Sequence, residues 1–417
     1  MARRISEFPE VCVKRRIVAA TFARSDFGAL RSTFEALRAD PEFEPKLIVS
    51  GSHLDPRFGS TVEEVKDSGI TIDEQIDMAA HSDSPAAAAR SIGIGTIAFA
   101  DSFAQWKPDI LLLIGDRYEL LAPVAAATAL RIPIAHVSGG EITEGAFDNQ
   151  VRHAVSKLAS VHFVGSSDSA ARLLQMGEEP WRVHVTGDPG LDLVRAAPRM
   201  SVAELEGDLG IDLSPPVLVV TFHAATLGAQ SPLDDLNEVL AALENFPAST
   251  VIITYPGADP GGRALITRIL AFAKGRNRTL AVPNLGAVRY YSLLDHADAL
   301  IGNSSSGIWE APSFCLPAVD IGDRQKGRLR AENVIHVDAK RNAIVEGIKR
   351  SLDPAFRHSL DQMSNPYGDG HAAERIVAIL RGLPAESVLL QKRFCEINGP
   401  VTGTRGDAPH FLQGSDR

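Results

Sequence analysis

Cysteine is nearly absent. The chain has three in 417 residues, Cys12, Cys315 and Cys395, far apart and odd in number. That excludes a disulfide framework and any zinc-ligand spacing, and it fits a reducing compartment. Long apolar runs are missing too. The richest stretch, 120–135, is interrupted by Pro123, Arg131 and Pro133 and falls short of the roughly 20 residues a membrane helix needs. The first residues hold arginines but no apolar signal core, so the expected location is the cytoplasm, with no membrane partner. An excess of basic residues is also lacking. Forty-two Lys and Arg face 52 Asp and Glu, a net charge of −10, which argues against a general nucleic-acid binder. There is no P-loop and no Gly-x-Ser-x-Gly elbow, and Gly93-Ile-Gly95 lacks the rest of a dinucleotide fingerprint. No cofactor and no metal are expected.

What is present is alternation. Short apolar runs read as strands: Arg16–Thr21, Lys46–Ser50, Ile110–Ile114, Ile132–Val137, Val161–Val164 and Val183–Thr186. Their uniform apolarity marks burial on both faces, as in a parallel sheet. Amphipathic stretches at 28–39, 84–103 and 148–159 lie between them. The alternation stops over 196–216, which holds Pro198, an acidic run and Ser214-Pro215-Pro216. It restarts with Val217–Phe222, Thr250–Thr254, Thr279–Val282, Ala299–Ile301, Pro317–Ile321 and Val334–Val337. The predicted fold class is α/β: two Rossmann-like domains, 1–195 and 217–383, joined by 196–216 and facing an interdomain cleft. Residues 384–417 read as a tail, partly disordered toward its end.

The segment from His136 to His153 crowds a diglycine, carboxylates, an arginine and two histidines behind a strand. In an open α/β sheet that loop is where ligands bind. Phe147, Val151, Ala154, Val155 and Leu158 are spaced as one apolar helix stripe. Asp148 and Arg152 stand four apart on a neighbouring face, either as a surface ion pair or as acid/base chemistry at a helix start. Leu111–Ile114 leads likewise into Gly115-Asp116-Arg117, where Asp116 reads as an N-cap, a catalytic carboxylate or both. His223 follows a strand end, with a ring suited to proton transfer or to a phosphate leaving group. Gly302-Asn-Ser304-Ser305-Ser306-Gly predicts a helix start that could hold an anion, with Glu310 about one turn in, able to accept from ribose hydroxyls. The plain alternative is a capped helix with no ligand. The run 322–333 is rich in guanidinium and amide groups suited to phosphate or uracil. Arg24 adds another arginine after the first strand.

In this order, Gly115-Asp-Arg, His136-Val-Ser-Gly-Gly-Glu-Ile-Thr-Glu-Gly, Asp148 with Arg152-His153, Gly302-Asn-Ser-Ser-Ser-Gly-Ile and Gly322-Asp-Arg-Gln-Lys-Gly-Arg…Glu-Asn resemble the hydrolysing UDP-N-acetylglucosamine 2-epimerases. The resemblance runs from about Arg15 to about Gly382. It implies the GT-B architecture and a UDP-sugar partner. It also implies a reaction in which UDP is eliminated to a 2-acetamidoglycal and water then adds. By motif, Asp116, Glu141 and Asp148 match the acid/base positions, with Arg152 supporting them and His223 near the diphosphate. Ser304, Ser305, Glu310, Arg24, Arg117, Arg328, Glu332 and Asn333 match substrate or UDP positions. One letter departs: some relatives place a glutamate before the diglycine, where this chain has Ser138.

The implied substrate is UDP-N-acetylglucosamine, giving N-acetylmannosamine and UDP in nonulosonic-acid (sialic- or legionaminic-type) synthesis. The alternative is the UDP-2,4-diacetamido-2,4,6-trideoxyglucose that other members take. A non-hydrolysing epimerase, a glycosyltransferase and a non-catalytic nucleotide-sugar sensor are the competing readings. A homo-oligomer, dimer or tetramer, is expected.

Overall fold

The structure, a computed structural model, describes residues 14–55, 61–78, 85–143, 148–223, 231–256 and 262–396. Its first sheet contains β1 (Arg15–Thr21), β2 (Phe43–Ser50), β3 (Glu74–Ile76), β4 (Ile110–Ile114), β5 (Ile134–Val137), β6 (Val161–Val164) and β7 (Val183–Val185). The second contains β8 (Val217–Thr221), β9 (Thr250–Thr254), β10 (Thr279–Val282), β11 (Ala299–Gly302), β12 (Ala318–Ile321) and β13 (Val334–Val337). The orders are β3-β2-β1-β4-β5-β6-β7 and β10-β9-β8-β11-β12-β13, and the pairings are parallel. The order reverses beside β1 in one sheet and beside β8 in the other. These are the switch points where α/β sheets open a crevice.

Apolar strands and helical faces fill the layers around each sheet. Ile17, Leu112, Val137 and Phe163 belong to one core and Val18, Leu111, Leu113 and Phe99 to the other face of the first sheet. The second sheet is sandwiched in the same way. The strand expected from Ile132 starts at Ile134, because Pro133 has no N–H to give the ladder; its carbonyl still accepts from Leu111 N at 2.9 Å. The strand that sequence missed is β3. Glu74-Gln75-Ile76 is short, polar and at the sheet edge, so no apolar run marks it.

The expected linker contains a helix, Val202–Leu209, closed at its start by a Ser201/Glu204 capping box. Beyond the second sheet the chain returns to the first. Ile376, Val377 and Leu380 of the helix Ala372–Gly382, together with Leu383 and Leu389, join the core that holds β1. Residues 384–396 are pinned there: buried Arg182 donates to Leu389 O at 2.8 Å and Gln391 O at 3.1 Å, and Lys392 pairs with buried Glu178 at 2.7 Å. The disorder expected near the end of the tail falls on 397–417, outside the described residues. Among the described residues no helix is long and apolar enough to cross a membrane.

Candidate functional site

The polar groups singled out by sequence stand at strand carboxyl ends. Asp116 follows β4, Glu141 follows β5, His223 follows β8, Ser304 follows β11 and Arg328 follows β12. The strands carry them there because their own residues are committed to the core, and the first polar positions are those after the last ladder bond.

Backbone geometry shapes the loop after β5. Ser138 has φ +63 and Gly140 φ +73, the left-handed region. A Cβ on Gly140 would stand 2.3 Å from the Ser169 carbonyl oxygen, and one on Gly139 2.7 Å from Ser156 Oγ. The diglycine is thus demanded by space as well as by turn conformation. It turns the chain so that Glu141 points inward and is buried. Behind the loop, His136 Nε2 donates to Gly115 O at 2.8 Å and its Nδ1 meets Ser156 Oγ at 3.1 Å. Burial drives the His136 pKa down to about 3, so the ring is neutral and ties β5 to the turn that presents Asp116.

Arg152 is the centre of the cluster. It is buried, donates from Nη2 to Asp116 Oδ2, and donates from Nη1 to Thr143 Oγ1 at 3.0 Å. This settles two open readings. Asp116 is a partner of Arg152 and caps nothing, since the next helical turn has Arg117 at its cap position with no side-chain bond. The Asp148/Arg152 surface pair is replaced by a pair between buried Arg152 and half-buried Asp116. The helix Asp148–Leu158 is accordingly rolled from the expected stripe. Val151, Arg152, Val155 and Ser156 are buried, whereas Ala154 and Leu158 are exposed. Phe147 lies outside the described residues.

Asp116, beside Arg152, acts on both Glu141 and Asp148. Burial pushes Glu141 up to about 7, with Arg152 and Arg328 pulling it down and Asp188 and Asp116 pushing it up. Burial and the neighbouring Asp116 charge raise Asp148. Asp188, which sequence reading passed over, sits after β7 just ahead of a short helix whose N-cap is Pro189, its Oδ1 accepting from Gly190 N at 2.7 Å. Burial raises its pKa as well. The signal was available in Gly187-Asp188, a glycine then a carboxylate at a strand end, as in Gly115-Asp116.

From the second sheet, Asn303 anchors His223 on both sides: its Oδ1 accepts from His223 N at 2.7 Å and its Nδ2 donates to His223 O at 2.9 Å. Asn303 O in turn accepts from Gln325 Nε2 at 2.8 Å and Arg324 Nη1 at 3.1 Å. The histidine turn, the serine loop and the 322–328 loop thus form one piece. The helix after the serines is a single turn, Ser306–Trp309, and Glu310 is its C-cap before a 3₁₀ turn containing Pro312. This shortens the helix expected there. Ser304 Oγ accepts from Ser306 N at 3.3 Å, Ser305 holds the N-cap position without a side-chain bond, and Ser306 Oγ meets Tyr290 OH at 2.6 Å. Burial raises Glu310. Arg328 lies 4.3 Å over the Trp309 ring and its charge reaches both Glu141 and Glu310, so the two sheets share this site. Its Nη1 is buried with no hydrogen-bond partner.

Other expected ligands stand apart. Asn333 is fully buried and donates to Leu316 O at 2.8 Å, so it is a strut between loops and closed to a ligand. Arg117 is committed to Glu119 at 2.6 Å and, more loosely, Asp26 at 3.9 Å. Burial of Asp26 pushes it up to about 7 despite Arg117. Arg24 is exposed and 3.8 Å from Glu64, and Glu332 is exposed.

Residues 35–381 match the family model described as UDP-N-acetylglucosamine 2-epimerase. The chain belongs to that family. It is 33% identical over 379 residues to the UDP-N,N'-diacetylbacillosamine 2-epimerase (hydrolyzing) of Legionella pneumophila, covering 91% of this chain and 98% of the relative. It is 33% identical over 348 residues to the GDP/UDP-N,N'-diacetylbacillosamine 2-epimerase (hydrolyzing) of Campylobacter jejuni, covering 83% and 90%. Among solved structures, the Neisseria meningitidis UDP-GlcNAc 2-epimerase bound to UDP-GlcNAc superposes with a TM-score of 0.71 at 18% identity, over 88% of this chain and 100% of that one. This family member therefore has the two-sheet, GT-B-like α/β fold that its motifs implied.

Proposed function

We propose that the chain is a hydrolysing 2-epimerase of a UDP-2-acetamido sugar. The observation that carries the reading is the acid/base cluster around Arg152, with a buried Glu141 whose carboxyl titrates near neutrality. Epimerisation at C2 needs a proton taken from one face of the ring and another delivered to the opposite face. Two acid/base groups are therefore required, and each works best with a pKa near the working pH. Glu141, raised to about 7, and Asp148, raised by burial and by the neighbouring Asp116 charge, supply that pair, and Arg152 donates to Asp116 beside them. In the first step the C2–H bond breaks, a C1–C2 double bond forms, and the C1–O bond to UDP breaks. In the second, water adds its oxygen to C1 and a proton goes to C2, releasing the C2-epimeric free sugar. His223, Ser304 and Arg328 are suited to the departing diphosphate, and Glu310 to the ribose.

The headline substrate is UDP-N-acetylglucosamine, giving N-acetylmannosamine. A second reading is favoured by the two relatives at 33% identity, both named for diacetylbacillosamine; the UDP-N-acetylglucosamine 2-epimerase of Neisseria meningitidis stands at 28%. On that reading the sugar is UDP-2,4-diacetamido-2,4,6-trideoxyglucose. Either product belongs to nonulosonic-acid synthesis. Incubation with each UDP-sugar, followed by NMR of the products, tests the proposal. A free manno-configured sugar from one of them supports it. A UDP-linked epimer would make the enzyme non-hydrolysing, and no turnover of either by folded protein would sink the reading.

A further inference from the structure

The helix Asp148–Leu158 brings Asp148 and Arg152 to the site, and its far end is gripped by residues that return from beyond the second sheet. The last carbonyls of a helix lack partners inside it. Here Ala159 N donates to Val155 O at 2.9 Å. Lys392 Nζ donates to Lys157 O at 2.8 Å and to Ala159 O at 2.7 Å. Arg182 Nη1 donates to Ser160 O at 2.9 Å. A cation at the carbonyl end of a helix is also favoured by the helix dipole.

The same two cations bind residues 386–396 to that helix end. Arg182 also donates to Val388 O at 3.2 Å, Leu389 O at 2.8 Å and Gln391 O at 3.1 Å. Lys392 pairs with fully buried Glu178 at 2.7 Å. Glu178 also pairs with Lys157 at 2.9 Å and faces His162 Nε2 at 2.9 Å. Lys157, in the last turn of the helix, stands 4.9 Å from the centre of the Phe394 ring. Cys395 N donates to Gly177 O at 2.9 Å, and a Cβ on Gly177 would meet the Phe394 ring at 2.5 Å.

None of these groups belongs to the acid/base cluster, and the segment lies beyond residues 35–381 that match the family model. Apolar packing of similar volume would hold a returning segment as firmly as a buried ion cluster. What the ammonium adds is direction. Its two N–H bonds, to carbonyls two residues apart, set both the roll of the helix and its position along its axis. Roll matters because Arg152 reaches Asp116 only from the inward face. Arg152 stands five residues before Lys157, about 7–8 Å along the axis at a rise of roughly 1.5 Å per residue, so a shift at one is felt at the other.

We propose that Lys392 is a positioning residue of the reaction, fixing the end of helix Asp148–Leu158 and thereby the place of Arg152 and Asp148 in the acid/base cluster. The inference rests on the 2-epimerase reading of that cluster.

The test is steady-state UDP release by the full chain from each of the two UDP-sugars. Lys392→Met keeps the side-chain length and removes the donors, while Glu178 keeps Lys157 and His162. It should lower kcat at least about tenfold. KM and UDP affinity should stay within about threefold, because Ser304, Glu310 and Arg328 come from the second sheet. Lys392→Ala should regain kcat with butylammonium ion and not with tetramethylammonium ion, which has no N–H to donate. That rescue decides the matter if Lys392→Met does not fold. Unchanged kcat in Lys392→Met overturns the proposal, as does a loss of kcat and UDP affinity together. Rescue by both ions, or by neither, overturns the role of the N–H donors. A wild type that releases no UDP sinks the reaction reading and this inference with it; an active wild type matched by Lys392→Met sinks the inference alone.

Discussion

Arg152 reaches out of its helix to hold Asp116, and it does so from a buried position. The pair ties the helix after β5 to the turn after β4. Removing Arg152 strips a half-buried Asp116 of its charged partner and leaves part of that charge uncompensated. Arg152→Met should lower stability by about 1–3 kcal/mol and reduce kcat/KM at least about 100-fold, because Asp116 and Thr143 lose their common donor. Arg152→Lys keeps the charge without the fork and should recover stability better than activity. Denaturant melts and steady-state kinetics on both variants check this.

Glu141 should make stability fall with rising pH. Its carboxyl is raised from 4.5 to about 7 in the folded protein, chiefly by burial. Folded protein therefore holds the proton over that range while unfolded chain gives it up. The favourable contribution is complete below about 4.5 and lost as pH passes 7, about 3 kcal/mol in all. Glu141→Gln cannot ionise, so relative to wild type it should be more stable at pH 8 than at pH 5. The same variant should lose turnover, and wild-type kcat/KM should show a limb near pH 7. Equal pH slopes in the two melts would contradict this.

The diglycine leaves no room. Gly140→Ala places a methyl within 2.3 Å of the Ser169 carbonyl at a positive φ and should cost more than about 2 kcal/mol. Ser138, also at positive φ, behaves the other way: Ser138→Gly relieves about 1 kcal/mol of left-handed strain and should melt no lower than wild type. Thermal denaturation of the two variants side by side is the check.

Asn333 separates a strut from a ligand. It is fully buried with its Nδ2 on Leu316 O, so Asn333→Ala should destabilise the fold by about 1–3 kcal/mol. UDP affinity of the folded variant, measured by titration calorimetry, should stay within about threefold of wild type. Arg328→Ala should do the reverse, with UDP affinity falling at least about tenfold and little change in melting. A loss of UDP binding in Asn333→Ala would return that residue to the site.

Much of this was legible in the chain. Ile110–Ile114, Val161–Val164, Thr250–Thr254, Thr279–Val282 and Val334–Val337 have the bounds that their apolar runs give, because strands buried between helices cannot hide their composition. Asp116 and Glu141 could be found because a polar group after such a run has no core role. Edge strand β3 escaped because it is short and polar. Helix rotation escaped because the i, i+4 spacing pairs Arg152 with Asp148 on a face beside the apolar stripe, and only the tertiary partner Asp116 draws it inward. Asn333 looked like a ligand by motif, and its burial depends on two loops distant in sequence. Asp188 gives the same glycine-carboxylate signal as Asp116 after the strand that Val183–Thr186 predicts, but no crowd of polar residues follows it to mark a site.

The most direct test of the central claim, elimination followed by hydration at an acid/base cluster, is turnover in deuterium oxide. NMR of the released sugar should show one deuterium at C2, with UDP formed in equal amount, and Glu141→Gln should abolish both. A free sugar that keeps its original hydrogen at C2 would contradict the account.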